Sequence, residues 1–96
     1  MTEFDISHMM FTYDQYPHRG RKYATFENMM EWVETHIGPM IERNGFTSDI
    51  MRKGAGWEIR TIKRGSQGRE RFKVISWRIC IDDENLATMF ALKWIE

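Results

Sequence analysis

The chain has 96 residues and a mass of 11.6 kDa, room for one domain over 1–96 with a thin core. Hydrophobic residues at 42 % and charged residues at 29 %, with 2 Pro and 7 Gly, exclude a disordered tail. Basic and acidic residues balance at 14 each, which removes bulk charge as a route to nucleic acid, and the single Cys80 excludes an internal disulfide framework.

Residues 4–13 read as extended, with Met9, Phe11 and Tyr13 alternating against Met10, Thr12 and Asp14, the pattern of a strand with one buried face. Residues 14–24, containing Pro17 and Gly20, read as a loop. A helix is expected over 25–44, from Thr25 as N-cap to the stop at Asn44-Gly45. At 100° per residue, Phe26, Met29, Met30, Val33, Ile37, Met40 and Ile41 fall within roughly 120° of arc. Glu27, Glu31, Glu34 and Glu42 share a neighbouring flank. Because the apolar arc keeps its phase across Gly38-Pro39, the proline is expected to kink this helix without ending it.

Residues 46–52 read as a short strand, joined to Trp57 by the turn Lys53-Gly54-Ala55-Gly56. Residues 57–64 and 69–82 read as two longer strands around Gly65-Ser66-Gln67-Gly68, a hairpin signal. In the second of them Ile75, Trp77, Ile79 and Ile81 share one face. Asp82-Asp83-Glu84 places acids where a helix N-terminus favours them, and Leu86, Ala87, Phe90 and Ala91 follow at helical spacing. Residues 92–95 either continue this helix or turn back as a last edge strand, and the strand is the favoured expectation. The resulting fold class is α+β, an antiparallel sheet with two helices on one face in a ferredoxin-like order, β-α-(β)-β-β-α-β.

Chemical motifs are sparse. The chain contains no phosphate-binding G-x-x-x-x-G-K-[ST] loop, no G-x-S-x-G elbow and no H-E-x-x-H, and Gly54-Ala55-Gly56 lacks the third glycine of a dinucleotide fingerprint. One cysteine and histidines at 8, 18 and 36 do not make a zinc set. Cys80, inside an apolar strand, reads as a small buried hydrophobe. Asp14, Tyr16, His18, Arg19 and Arg21 crowd one loop and could pair acid with base, but a solvated loop in which Tyr16 and Tyr23 pin the backbone to the core is the favoured reading. Asp82-Asp83-Glu84 reads as a cap before it reads as a cation site. The expectation is a protein that is not an enzyme and uses no cofactor or metal.

Charge is distributed unevenly. Between Arg52 and Arg78 nine basic residues face Glu58 and Glu70, a balance of +7. Residues 24–51 balance at −4, with one basic against five acidic, and residues 79–96 at −3, with one against four. Zero net charge therefore conceals a basic hairpin beside two acidic helices, an arrangement that steers a charged partner to one side. The expected partner-binding residues are Arg60, Lys63, Arg64, Arg69, Arg71 and Lys73. Two further readings compete: phosphate binding with Trp57, Phe72 or Trp77 as stacking platforms, and a cationic guard against edge-to-edge aggregation. Trp32, off the apolar arc, and the terminal Trp94 and Ile95 leave a homodimer open.

The ending Trp77-Arg78-Ile79-Cys80-Ile81-Asp82, then Ala87, then Phe90-Ala91-Leu92-Lys93-Trp94, resembles that of many short uncharacterised proteins of tailed bacteriophages. The likeness covers the last quarter of the chain, is a packing pattern, and carries over no functional residue. It implies a phage origin and no activity. The absence of a catalytic constellation and the polarised charge lead to the expectation of a small non-enzymatic phage protein that binds, and thereby inhibits, a host or defence protein with an acidic surface. RNA or single-stranded DNA binding through the basic hairpin is the alternative, and a virion or assembly component the third reading. Glu3, Asp5, Ser7 and His8 break any signal-peptide core and no apolar run approaches the ~20 residues of a membrane span, so a reducing host cytoplasm is the expected address.

Overall fold

The computed structural model describes residues 1–9, 19–45, 48–65 and 72–95, the backbone alone at 19–24, 64–65 and 72–75. Strand β1 (Thr2–Asp5) leads through a 3₁₀ turn (Ser7–Met9) towards helix α1 (Arg19–His36). Four strands follow in succession, β2 (Met40–Arg43), β3 (Ile50–Gly54), β4 (Trp57–Gly65) and β5 (Phe72–Ile81), before helix α2 (Glu84–Trp94). The five strands form one antiparallel sheet in the order β1-β5-β4-β3-β2. The class is α+β as expected. The ferredoxin-like order is not the one observed: β2 to β5 form a simple meander, and among the described residues no strand follows α2.

The expected kinked helix is replaced by a helix, a corner and a strand. Helix α1 begins earlier than expected, at Arg19, so Thr25 lies inside it and residues 19–24 are helical backbone where a loop was expected. Residues 10–18, the rest of that loop and of the first expected strand, lie outside the described residues. Pro39 has no N–H to give the helix and disfavours the helical conformation at Gly38, and α1 ends at this point. The last turn closes with Ile37 N and Gly38 N both donating to Val33 O, at 2.8 and 3.1 Å. Beyond the corner, Met40 is half-buried but Ile41 is 70 % exposed, the bulged residue of edge strand β2. Of the predicted arc, Phe26, Met29, Met30 and Val33 are fully buried. Helical phase across Pro39 was coincidence, because a β-strand also places some of those residues inward.

Close approach explains Gly38. A Cβ there would collide with the backbone carbonyl of Ala55, in the turn between β3 and β4. Ala55 N donates to Pro39 O at 3.0 Å, and the buried Trp57 indole Nε1 donates to Gly38 O at 2.8 Å. The α1–β2 corner is thus stapled to the β3–β4 hairpin, whose two-residue turn uses Gly56 at φ +86°.

The sheet has two unlike faces. Register places Trp57, Ile59 and Thr61 of β4 opposite Ile81, Ile79 and Trp77 of β5, and this face carries both helices. Helix α2 enters the same core through Ala87 and Phe90, with Phe90 5.3 Å from the Phe4 ring of β1 and 6.1 Å from Trp32 of α1. Residues 92–94, expected in an edge strand, continue α2: Ile95 N still donates to Ala91 O at 3.0 Å, and Trp94 and Ile95 pack against the core. Asp83 is the N-cap of α2, accepting from Asn85 N and Leu86 N at 2.8 and 3.0 Å, which settles the acidic run as a cap.

Two substitutions test the corner. Trp57→Phe leaves the Gly38 carbonyl without its donor and is expected to cost about 1–3 kcal/mol. Gly38→Ala is expected to cost at least as much through overpacking against Ala55. In urea titrations both variants should lower the midpoint with an unchanged slope.

Candidate functional site

Strand pairing decides where the basic residues stand. Strand β3 accompanies β4 only as far as Ile50 opposite Arg60, followed by Thr61 N donating to Asp49 O at 2.9 Å. On the other side β1 accompanies β5 as far as Asp5 opposite Arg78, followed by Ile6 N donating to Trp77 O at 2.9 Å. Beyond these points residues 62–65 and 72–76 pair only with each other among the described residues. The β4–β5 hairpin therefore continues past the sheet as a two-stranded ribbon, with a bulge at Ile62/Lys63 that adds twist where it leaves.

The ribbon is cationic. Residues 62–65 and 72–76 include Lys63, Arg64 and Lys73 and no acidic residue. Arg64 and Lys73 are direct cross-strand partners, and Lys63 stands opposite Val74. Like charges placed directly opposite destabilise a sheet. Lys63, at the base, reaches Asp49 with Nζ 3.1 Å from Oδ1. Arg69 and Arg71 lie outside the described residues.

Of the other cations of the basic region, Arg52, Arg60 and Arg78 each have an acidic partner. Arg52 is buried at 4 % exposure on the helix-covered face, its guanidinium 3.4 Å from Glu27 Oε2 of α1 and 4.9 Å from the Phe26 ring centroid. On the opposite, helix-free face, Arg60 and Arg78 are cross-strand partners, again like charges opposite one another. Each has an acid: Glu58 binds Arg60, and Arg78 Nη1 is 3.3 Å from Glu3 Oε1. Of the six expected binding residues, Arg60 therefore stands on the sheet face beside Glu58, whereas Lys63, Arg64 and Lys73 are brought together on the ribbon. The balance of +7 read along the chain is not a single patch. Arg52 was counted as surface charge because its burial depends on pairing with Glu27, 25 residues away, which no local pattern announces.

Other expected groups resolve differently. Trp57 and Trp77 are core residues at 2 and 8 % exposure, so they are not stacking platforms; the Phe72 side chain is not among those described. Trp32 is half-buried between Phe90 and His36, the latter ring 4.8 Å away. Among the described residues no three His, Cys, Asp or Glu side chains are grouped to hold a metal ion, and no helix is long and apolar enough to cross a membrane.

Cys80 lies on the helix-free face at 1 % exposure, with Glu3 and Glu58 as its cross-strand partners. Burial pushes its thiol up to about 11, the Glu3 carboxylate adding to the effect and Arg60 opposing it. Roughly one thiol in a thousand is ionised at about pH 8, so a thiol reagent should react slowly with the native protein and fast after urea unfolding. Burial favours the neutral thiol, so the stability tied to Cys80 is complete below the ordinary value of 9.0 and is lost as pH rises towards about 11. Cys80→Ala should remove that part of the alkaline destabilisation, measured as the urea midpoint against pH.

Comparison with protein-family models, with curated proteins and with solved structures finds no match for this chain. The ribbon is accordingly the feature on which a functional reading has to stand.

Proposed function

We propose that this protein works by binding, without catalysis or cofactor, and that its basic ribbon docks on an acidic surface of a partner protein. The observation that carries this reading is the Arg64–Lys73 cross-strand pair, on a projecting segment with no acid at any described position. Elsewhere the sheet offsets the same arrangement with its own carboxylates, as Glu58 and Glu3 do for Arg60 and Arg78. On the ribbon an acidic surface of the partner takes that role. Arg69 and Arg71 of the expected set lie between the two ribbon strands in sequence, outside the described residues.

A protein partner is favoured over single-stranded nucleic acid by the position of the aromatics. Stacking platforms need open ring faces, and Trp57 and Trp77 are committed to the core. With the phage-like ending, the reading becomes a small phage protein that occupies a host or defence protein and inhibits it by covering its working surface.

Affinity purification of the tagged chain from host lysate, with and without nuclease, is the direct test. A nuclease-resistant protein partner is expected. The double variant Arg64→Glu/Lys73→Glu should weaken its capture at least about tenfold, or roughly 1.4 kcal/mol, whereas Lys93→Glu on α2 leaves it unchanged. Capture that nuclease abolishes transfers the ribbon to RNA or single-stranded DNA, and capture indifferent to the double reversal overturns the assignment.

A further inference from the structure

Helix α1 bears a stripe of carboxylates on its outer face. Glu27, Glu31 and Glu34, spaced by four and three residues, fall within about 60° of arc, and from Thr25 to His36 the helix contains no Lys or Arg. With Asn28 and Thr35 they border a shallow hollow of about 480 Å³, with Met30 at its floor. Glu27 is partly engaged by Arg52 from the sheet side. Among the described residues, no cation lies within 4.0 Å of the Glu31 or Glu34 carboxylates. Like charges at these helical spacings repel, so this face holds uncompensated charge.

We propose that this face of α1 is the docking surface for the basic ribbon of a second copy of the chain. The docking rests on the reading of the ribbon as a site for acidic surfaces, and names the surface it meets when no other partner is present. Charge spacing favours the fit. Cross-strand partners such as Arg64 and Lys73 have Cβ atoms about 5 Å apart, and carboxylate-bearing positions one helical turn apart stand about 5–6 Å from each other. A ribbon laid across α1 sets its two cation-bearing positions over two successive carboxylate-bearing positions. Net charge is zero, so no overall repulsion keeps copies apart. The contact is heterologous, the ribbon of one copy on the helix of the next, so each pair retains one unused ribbon and one unused helix face, and association continues into chains or closed rings.

Sedimentation velocity of the full chain at ionic strengths of about 10 mM and about 1 M separates the cases, since the screening length falls from about 30 to about 3 Å. At low salt the weight-average mass should at least double, returning to that of a monomer at high salt. Glu31→Lys/Glu34→Lys and Arg64→Glu/Lys73→Glu should each be monomeric at low salt, with circular dichroism confirming that both are folded. An equimolar mixture of the two should associate again, because each supplies the charge the other has reversed. The neutral variant Glu31→Gln/Glu34→Gln should also be monomeric, yet capture the partner from lysate as the parent does. A parent chain monomeric at both salts overturns the proposal. So does low-salt association that survives Glu31→Lys/Glu34→Lys; if Arg64→Glu/Lys73→Glu abolishes that association, the ribbon still docks an acidic surface and only α1 is wrong. Loss of lysate capture on ribbon reversal tests the partner reading separately.

Discussion

The hydrogen bond from the Trp57 indole to the Gly38 carbonyl, inside the core, fixes the corner on which the whole arrangement turns. Gly38 is pressed against Ala55 so closely that no side chain fits, and α1 stops at His36, two residues before that contact, ahead of Pro39. With the helix ended there, the chain can enter β2 and pair with β3. The meander that follows brings β5 between β4 and β1 and leaves one face of the sheet for both helices. A helix continued through Pro39 would have no β2, and the edge of β3 would be bare.

Once the sheet is built, its register sorts the charges. Arg52 is turned under α1, where burial would be costly without the Glu27 carboxylate and the Phe26 ring face. Arg60 and Arg78 face each other on the helix-free side and are held by Glu58 and Glu3. Lys63 is tied to Asp49 where the ribbon leaves the sheet. A basic sequence region is thereby divided into a buried pair, a solvated lattice of opposite charges and a short projecting element. The flanking strands end before that element begins, so it is set apart from the core.

Cys80 shows the same logic in a different chemistry. Its side of the sheet carries no helix, yet the residue is covered, with carboxylate-bearing neighbours in register on both flanking strands. Burial and a nearby carboxylate both favour the neutral thiol, so the chain's single thiol reacts slowly at neutral pH.

Much of the local structure was legible in the residues themselves. The buried face of α1 at Phe26, Met29, Met30 and Val33 follows from a 3.6-residue period, and the inward set Trp77, Ile79 and Ile81 from a period of two, each a property of the backbone alone. The β4–β5 hairpin was marked by its glycines, and the Asp83 cap by its place before an apolar helical pattern. What the tertiary structure decided was every question involving two distant segments. Pro39 breaks α1 because a strand partner is available beyond it, residues 92–94 stay helical because Trp94 and Ile95 find the core from there, and Arg52 leaves the surface because Glu27 meets it. Neighbours in the chain set periodicity and caps; burial and ion pairing depend on partners that only the completed sheet brings within reach.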